Sequence, residues 1–359
     1  MRAAAVGAVL AASAVGGLLV GCSSSGGGDA GAKEAAGGRN PVMGASAGAT
    51  EGPSAAPSTL ADGMGSDKDT DGAFPRTVSH FKGTTTLKSE PKKIAVLSTG
   101  QLDDLLALGI VPTATTRADN AGLVPDYLAD AFPEDKARLA TMTDAGTRQA
   151  PNLESLAAAR PDLILANDSL GELYPKLSKI APTVITAGNG INWKRDLLLV
   201  GDAVGKGEAA HSVLDEIVGD AEKKGKAVEG DPAVSMVRFT PDRTRMFGVS
   251  SFTGSLAVDM GLQRPKSQQF NAISEDIGAE SIDTADGDWI FYSVQGDADG
   301  TDAAGGAPSG GVVAGPLWKS MKAVRAGHAV KVDDDPWYLN AGPTAARLVI
   351  RQLAEHLGT

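Results

Sequence analysis

Residues 151–186 read PNLESLAAARPDLILANDSLGELYPKLSKIAPTVIT. They contain two short apolar runs typical of buried strands, Leu163–Ala166 and Thr183–Thr186. Each run follows a segment with the apolar spacing of a helix, Leu153–Ala159 and Leu173–Ile180. Because short apolar strands that alternate with helices indicate a parallel sheet covered on both faces, this stretch predicts an α/β fold.

The same alternation extends toward the N-terminus and resumes near the C-terminus. Between the two halves, residues from Trp193 to about Val228 have helical spacing and no strand pattern. The sequence therefore predicts an α/β protein with two lobes, each with a central, mostly parallel sheet flanked by helices, joined by one long helix. The other predicted elements are an entry hairpin over Val78–Leu87, strands at Lys93–Leu97, Val111–Thr115, Ala233–Phe239, Trp289–Val294 and Ala329–Val332, and helices at Gln101–Leu108, Leu123–Ala131, Phe252–Met260, Leu317–Arg325 and Thr344–Leu357.

The pattern divides the chain into five segments. We expect an N-terminal lobe over residues 76–192, a connecting helix over 193–230 and a C-terminal lobe over 231–359. Residues 22–75 are dominated by small and polar residues, which bury too little apolar surface to offset their conformational entropy. This segment is predicted to be a flexible tether, and residues 1–21 to be a signal peptide.

The signal peptide ends at the single cysteine of the chain. Arg2 is followed by an apolar run over Ala3–Val20, and the run closes with Leu19-Val20-Gly21-Cys22. This ending resembles the bacterial lipobox, which implies that Cys22 is acylated and becomes the first mature residue. Acyl chains would then anchor the protein to the outer face of the cell membrane. An ordinary secretory signal that contains a cysteine is the alternative.

Composition excludes several function classes. The formal net charge of −11 argues against a nucleic-acid partner, because phosphate binding needs a basic surface. One cysteine cannot form an internal disulfide, and the four histidines are too scattered along the sequence to suggest a zinc or manganese site. The sequence shows no nucleophile–base pairing, Walker loop or dinucleotide motif, so we expect a protein that is not an enzyme.

Short strings from both lobes stand in a familiar order: Pro151-Asn152-Leu153-Glu154, Ala159-Arg160-Pro161-Asp162-Leu163-Ile164-Leu165, Ile180-Ala181-Pro182, Pro316-Leu317-Trp318-Lys319 and Val324-Arg325-Ala326-Gly327, then Trp337 and a helix from Ala341. Together with the lipobox, the tether and the two lobes, they resemble the substrate-binding lipoproteins of iron–siderophore ABC importers, over residues 77–359. The resemblance implies capture of a ferric siderophore of the hydroxamate type and its delivery to a two-subunit permease. It also implies a monomer without a cofactor, in which the siderophore holds the iron. Cobalamin or haem is the alternative ligand.

The strand pattern also predicts where a ligand binds. In open α/β sheets, ligands bind beyond the carboxyl ends of the strands, so the loops of two facing lobes would line one cleft. Guanidinium groups there can donate to chelate oxygens, and aromatic faces can cover apolar linkers. The candidate ligand-binding residues are Ser98, Thr99, Arg148, Asn167, Arg238, Tyr292, Trp337 and Tyr338.

The resemblance assigns roles to two of these residues. Arg148 would contact the ferric chelate, and Trp337 would stack on the ligand. Each candidate also has a structural alternative: a surface ion pair for Arg148, a core position for Trp337 and a salt bridge for Arg238. Trp318 is expected to pack its helix onto the sheet. Family members often place a second aromatic residue two positions after the tryptophan, where this chain has Leu339 and not an aromatic residue.

Two glutamates are implied to dock on the permease, one from each lobe. Glu154 stands in the N-lobe string, and Glu280 precedes the strand at Trp289 with the matching C-lobe spacing. Glu275 is a nearby alternative to Glu280. A glutamate in the first turn of a helix also complements the helix dipole, and both roles are compatible.

Overall fold

The predicted alternation of strands and helices is present in the computed structural model, which describes residues 56–118, 122–295 and 308–358. Its two five-stranded sheets confirm the α/β fold class. The predicted signal peptide, Cys22 and the tether up to residue 55 lie outside the described residues.

A three-stranded antiparallel sheet opens the described chain. It contains β1 (Gly65–Ser66), β2 (Arg76–His80) and β3 (Gly83–Leu87), and β2 and β3 form the predicted entry hairpin. Thr85 Oγ1 donates to the carbonyl of Thr183 (2.6 Å), which attaches the hairpin to the neighbouring sheet.

The segment before β2 corrects the tether prediction. The amide of Ser66 donates to Asp202 Oδ2 (2.9 Å), and Arg195 Nε donates to the carbonyl of Thr59 (2.8 Å). The segment is therefore attached to the folded body from residue 56 onward. The prediction was wrong here because backbone groups of this segment form hydrogen bonds with the folded body and its few large apolar side chains, Leu60, Met64 and Phe74, pack against the core.

Five parallel strands form the first large sheet: β4 (Ile94–Val96), β5 (Ala114–Arg117), β6 (Thr143–Thr147), β7 (Leu163–Asn167) and β8 (Thr183–Thr186), in the order β6-β5-β4-β7-β8. Strands β4, β7 and β8 are rich in apolar residues and almost fully buried, as expected for a parallel sheet covered on both faces, whereas the edge strand β6 is polar and only partly buried. Between them lie α1 (Thr99–Ala107), α2 (Asp126–Ala131), α3 (Lys136–Leu139), α4 (Leu153–Ala159) and α5 (Tyr174–Leu177).

The connection to the second half of the chain consists of two helices, α6 (Trp193–Val204) and α7 (Gly207–Gly225), instead of the predicted single helix. Gly205 ends α6 with a φ of +74°, a left-handed conformation that favours glycine. Its carbonyl accepts a hydrogen bond from the amide of Gly72 (2.8 Å), and Asp71 Oδ1 accepts from the amide of Glu208 in the first turn of α7 (3.0 Å). The N-terminal segment thus stabilises the break between the two helices.

The second large sheet contains β9 (Val234–Thr240), β10 (Arg243–Phe247), β11 (Ser274–Ile277), β12 (Trp289–Val294) and β13 (Ala329–Lys331), in the order β11-β10-β9-β12-β13. Strands β9, β12 and β13 are parallel, whereas β10 is antiparallel to both of its neighbours. The accompanying helices are α8 (Phe252–Asp259), α9 (Pro308–Ala314), α10 (Pro316–Ser320), α11 (Lys322–Ala326) and α12 (Pro343–Leu357). The helix predicted over 317–325 is split at Met321 into α10 and α11.

One hydrophobic cluster runs through both halves of the molecule. It includes Val96 of the first sheet, Val200 of α6, Met236 of the second sheet and Val349 of α12, all of which are fully buried. The two sheets are therefore held together by a shared core as well as by the connecting helices.

Candidate ligand-binding cleft

A cavity of about 150 Å³ lies beyond the carboxyl ends of the strands in the first large sheet. Ser98 follows β4, Arg148 follows β6, Asn167 ends β7 and Gly188 follows β8, and all four residues line the cavity. Its opposite wall includes Leu339, from the segment between β13 and α12. This is the edge at which the sequence predicted ligand binding.

A smaller, more apolar cavity of about 80 Å³ shares Gly190, Leu339 and Ala341 with the first one. Phe247 and Phe252 contribute to its walls. Both cavities are smaller than the roughly 300–1,000 Å³ of a pocket that encloses a drug-sized ligand. A large ligand would therefore insert only a part of itself into the cleft as described.

Three predicted residues meet in the larger cavity. Ser98 Oγ accepts from the amide of Gln101 (3.4 Å) and caps α1, and Asn167 Oδ1 accepts from the amide of Ser169 (3.1 Å). Arg148 Nη1 donates across the cavity to the carbonyl of Leu339 (3.5 Å). Thr99 is the first residue of α1, and its side chain is outside the described part of the structure.

The loop after β8 approaches the cavity through a glycine. Gly188 has a φ of +70°, and a Cβ at this position would lie 2.7 Å from Cβ of Asn167. Both the left-handed backbone and the close approach favour glycine. The amide of Gly188 donates to Asp196 Oδ2 (2.8 Å), so the loop fixes a carboxylate at the cavity wall.

Trp337 is a core residue that also lines the smaller cavity. Its side chain is fully buried, its ring stacks on Phe291 with centroids 5.1 Å apart, and its Nε1 donates to Gln352 Oε1 (2.6 Å). The core alternative therefore describes the packing of its ring between β12 and α12. Because Trp337 also lines the smaller cavity, its stacking on a ligand stays a prediction.

Arg238 forms the salt bridge that was its structural alternative. Its Nε and Nη2 each donate to a carboxylate oxygen of Asp334 at 2.7 Å, and Ser293 Oγ donates to the same carboxylate (2.5 Å). Arg238 lines neither cavity and is only 6% exposed. Its guanidinium is held in a buried bidentate ion pair, and we correct its assignment as a ligand contact accordingly.

The two tyrosines that were predicted to bind ligand occupy different positions. Tyr292 contacts Trp318 edge-on, with centroids 5.1 Å apart, and lines neither of the two cavities, so its role in ligand binding stays a prediction. The contact also shows Trp318 buried against the sheet, as predicted. Tyr338 lines the smaller cavity and donates from its hydroxyl to the carbonyl of Phe291 (2.7 Å). Burial raises the pKa of the Tyr338 hydroxyl, so it stays a neutral donor.

Sequence reasoning missed two carboxylates that line the larger cavity, Asp104 of α1 and Asp196 of α6. Burial, and then the charges of Asp103 and Asp196, raise the pKa of Asp104 well above its usual value. Burial also raises the pKa of Asp196 to about 7, although two backbone amides donate to it. The detectable signal was the adjacent Asp103-Asp104 pair inside an otherwise apolar helix that follows the first strand.

Trp193 is a further cavity residue that the sequence did not single out. It is the first residue of α6, it is 1% exposed, and its Nε1 donates to Ser255 Oγ (3.0 Å). Its indole packs edge-on against Phe252, with centroids 5.4 Å apart. An indole fixed at the cavity wall is placed to report on an occupant by a change in fluorescence.

The surroundings of Arg148 are acidic. Burial raises the pKa of Asp335, and the nearby charges of Asp333, Asp334 and Asp126 raise it further, whereas Arg148 lowers it. The ionisable side chains that line the larger cavity are one arginine and two aspartates. The cleft therefore carries more carboxyl than guanidinium groups.

Comparison with known proteins agrees with this fold and cleft. Residues 94–336 match the family described as periplasmic binding protein. The chain belongs to the periplasmic binding protein family. This is a family of solute-binding proteins, which confirms the expectation that the chain is not an enzyme.

Individual relatives of this periplasmic binding protein cover most of its length. A probable siderophore-binding lipoprotein of Bacillus subtilis, YfiY, is 32% identical over 77% of this chain and 85% of its own. The iron(3+)-hydroxamate-binding protein FhuD of the same organism is 26% identical, over 77% and 85%. The crystal structure of Staphylococcus aureus SirA complexed with staphyloferrin B superimposes with a TM-score of 0.67 at 29% identity, over 78% of this chain and 98% of that one.

The two candidate docking glutamates of this binding protein are both exposed. Glu154 lies in the first turn of α4, which follows β6. Glu280 follows β11 in the 3₁₀ segment Ala279–Ala285, and β11 ends opposite Thr244, at the edge where β9 ends. Each glutamate therefore lies just beyond the carboxyl ends of the parallel strands of one sheet.

The described ranges contain neither a metal-binding cluster nor a membrane-spanning helix. Residues 56–118, 122–295 and 308–358 contain no group of three or more His, Cys, Asp or Glu side chains arranged to hold a metal ion. Within the same part of the binding protein, no helix combines the length and the apolar character needed to span a membrane.

Proposed function

We propose that this protein captures a ferric siderophore in the cleft between its two sheets and delivers it to an ABC importer. The observation that carries the proposal is the cavity at the carboxyl edge of the first sheet, closed from the other half of the chain by Leu339. The similarity to YfiY, a probable siderophore-binding lipoprotein, and to SirA, whose crystal structure is complexed with staphyloferrin B, supports it. Cobalamin and haem, the alternative ligands, have no such support among these relatives.

The chelate is of the hydroxamate type in this proposal. Three hydroxamates, each a monoanion, neutralise Fe³⁺, whereas three dianionic catecholates leave the chelate strongly negative. The ionisable lining of the larger cavity is Arg148, Asp104 and Asp196, so a single guanidinium is available there to compensate a strongly anionic chelate. Arg148 can still donate to the oxygens of a neutral chelate, and the similarity to FhuD agrees with this choice.

Delivery requires a membrane partner. We assign Glu154 and Glu280 to contacts with arginines of the two permease subunits, one glutamate for each lobe. Their exposure and their positions beyond the carboxyl edges support this assignment. The segments proposed as lobes are 76–192 and 231–359, and the protein would act as an extracytoplasmic monomer anchored by a lipid on Cys22.

A fluorescence titration with different iron chelates tests the proposal. Ferric hydroxamate should quench the tryptophan fluorescence, and Trp193→Phe should remove most of the quenching because Trp193 lines the cavity. Ferric catecholate, ferric citrate and uncomplexed Fe³⁺ are the comparison ligands. If citrate or uncomplexed iron binds as well as every hydroxamate and catecholate chelate, the proposed function is wrong.

A further inference from the structure

Two buried residues that line the larger cavity each carry a side-chain oxygen without a partner. Gln101 Oε1 and Asp104 Oδ1 have no hydrogen-bond partner among the described residues, and each of the two residues is 2% exposed. They stand three positions apart on α1, which places them on the same side of the helix. Buried polar atoms are normally paired, so these two atoms point to a missing donor.

The surroundings supply more acceptors than donors. The amide nitrogen of Gln101 is already used, because Nε2 donates to Thr186 Oγ1 (3.2 Å). Asp196 lines the same cavity, and its charge is one of those that raise the pKa of Asp104. The Arg148 guanidinium donates to the carbonyl of Leu339, and its charge lowers the pKa of Asp335. We call the wall formed by Gln101, Asp104 and Asp196 the acidic wall.

We propose that the acidic wall binds a primary ammonium group on an arm of the siderophore. The inference rests on the proposed function and narrows it to hydroxamate chelates with a protonated amine. An ammonium group has three N–H donors and no acceptor, which matches a wall with unpartnered oxygens. Its positive charge also compensates the buried carboxylates.

The size of the cavity agrees with an arm as its occupant. At about 150 Å³, the cavity is too small to enclose a whole chelate, but it can hold a short aminoalkyl chain. Arg148 also lines the cavity, so one ligand could place oxygens near the guanidinium and its amine near Asp104. A metal ion is a poorer match, since the described residues hold no cluster of three metal-ligating side chains.

A matched pair of ligands tests this inference. The probes are the ferric chelate of a linear trihydroxamate with a free terminal amine and the same chelate with that amine acetylated. Calorimetric titration at pH 7.5 should give at least tenfold tighter binding of the free amine, roughly 1.4 kcal/mol. Asp104→Asn should abolish the preference, whereas Asp215→Asn, which removes an exposed carboxylate from α7, should retain it.

Proton release gives a second measurement that needs no variant. Burial raises the pKa of Asp104 well above its usual value, and an ammonium group bound beside it should lower that pKa and favour release of a proton. Titrations in buffers of different ionisation enthalpy should show this release for the amine chelate and not for the acetylated one. Equal affinity and equal proton release for the two chelates would overturn the ammonium site and leave hydroxamate binding intact. Failure of both chelates to bind would overturn the hydroxamate proposal, and the ammonium site with it.

Discussion

Asp103 Oδ1 accepts a hydrogen bond from the amide of Thr344 at 2.9 Å, across 241 positions of sequence. The amide of Ala345 donates to Oδ2 of the same carboxylate at 3.1 Å. Asp103 lies on α1, beside the first sheet, and Thr344 lies in the first turn of α12, after the second sheet. A carboxylate of the first half of the chain therefore caps the last helix and adds to the shared core that holds the halves together.

We expect the two halves to move little when ligand binds. The shared core, the cap made by Asp103 and the connecting helices all oppose a wide hinge motion. Solution scattering should give nearly the same radius of gyration for the empty and the loaded protein. A contraction of several ångströms on loading would contradict this expectation.

Arg148→Ala should weaken binding of the ferric chelate by about ten- to hundredfold, because a charge-assisted hydrogen bond contributes about 1.5–3 kcal/mol. Since Arg148 is only half-buried, the free energy of unfolding should change little. Arg148→Lys is the matched control, and it should recover part of the affinity because it keeps the charge and loses the planar fork. Titrations of the three proteins measure the effect. Unchanged affinity in the alanine variant would remove Arg148 from the binding site.

Trp337→Ala should mainly lower the stability of the protein. Its ring is fully buried against Phe291 and donates to Gln352, so its removal should lower the free energy of unfolding by about 3–5 kcal/mol. Trp337→Phe should lower it less, because it keeps most of the apolar volume. Urea unfolding curves give both values. A stable Trp337→Ala protein that binds chelate poorly would show that Trp337 contacts the ligand.

His80 should make the protein less stable in acid. Burial lowers its pKa to about 4, and its Nδ1 accepts from the amide of Lys82 (3.2 Å), which requires a neutral ring. The unfolded chain takes up a proton near pH 6.5 while the folded chain does not, so stability falls as the pH drops from about 6.5 to about 4. The full loss is about 3 kcal/mol at most. His80→Gln should flatten this part of the pH–stability curve, and an equally steep curve in the variant would assign the loss to other groups.

Glu154→Ala and Glu280→Ala should leave ligand affinity unchanged and reduce iron uptake by cells, most of all together. A partner arginine would bind each exposed carboxylate as a bidentate pair, which orients the cleft over the permease. Reversal to Arg should reduce uptake more than Ala does, because like charges would then meet. Glu275→Ala is the control for Glu280. Normal uptake and normal stimulation of the transporter ATPase by the double variant would exclude the docking role.

The fold could be predicted because its deciding elements are apolar strands such as Thr183–Thr186, whose observed bounds are the predicted ones. Strands β10 and β11 were not predicted, because charged residues interrupt their apolar pattern, among them Arg243, Arg245 and Asp276. β11 lies at an edge of its sheet, where charged residues discourage further pairing, and β10 lies beside it. Strands with this pattern carry a weaker sequence signal.

The site was harder to predict than the fold. Asp104 was missed because polar residues in an apolar helix are normally exposed, and its burial depends on α6, which lies about ninety residues later in the sequence. Trp337 was singled out from the resemblance alone, which could not show that its ring packs on Phe291 of β12 while it also lines the smaller cavity. Ser98 and Asn167 were placed correctly, because the carboxyl ends of parallel strands fix their position at the cleft.

The iron position in crystals of the loaded protein tests the central claim most directly. Crystals grown with a ferric hydroxamate that carries a free amine should give an anomalous iron peak at the mouth of the larger cavity, near Arg148. The amine arm should extend toward Asp104, and no protein side chain should coordinate the metal. An iron peak far from this cavity, or iron bound directly by protein ligands, would contradict the account.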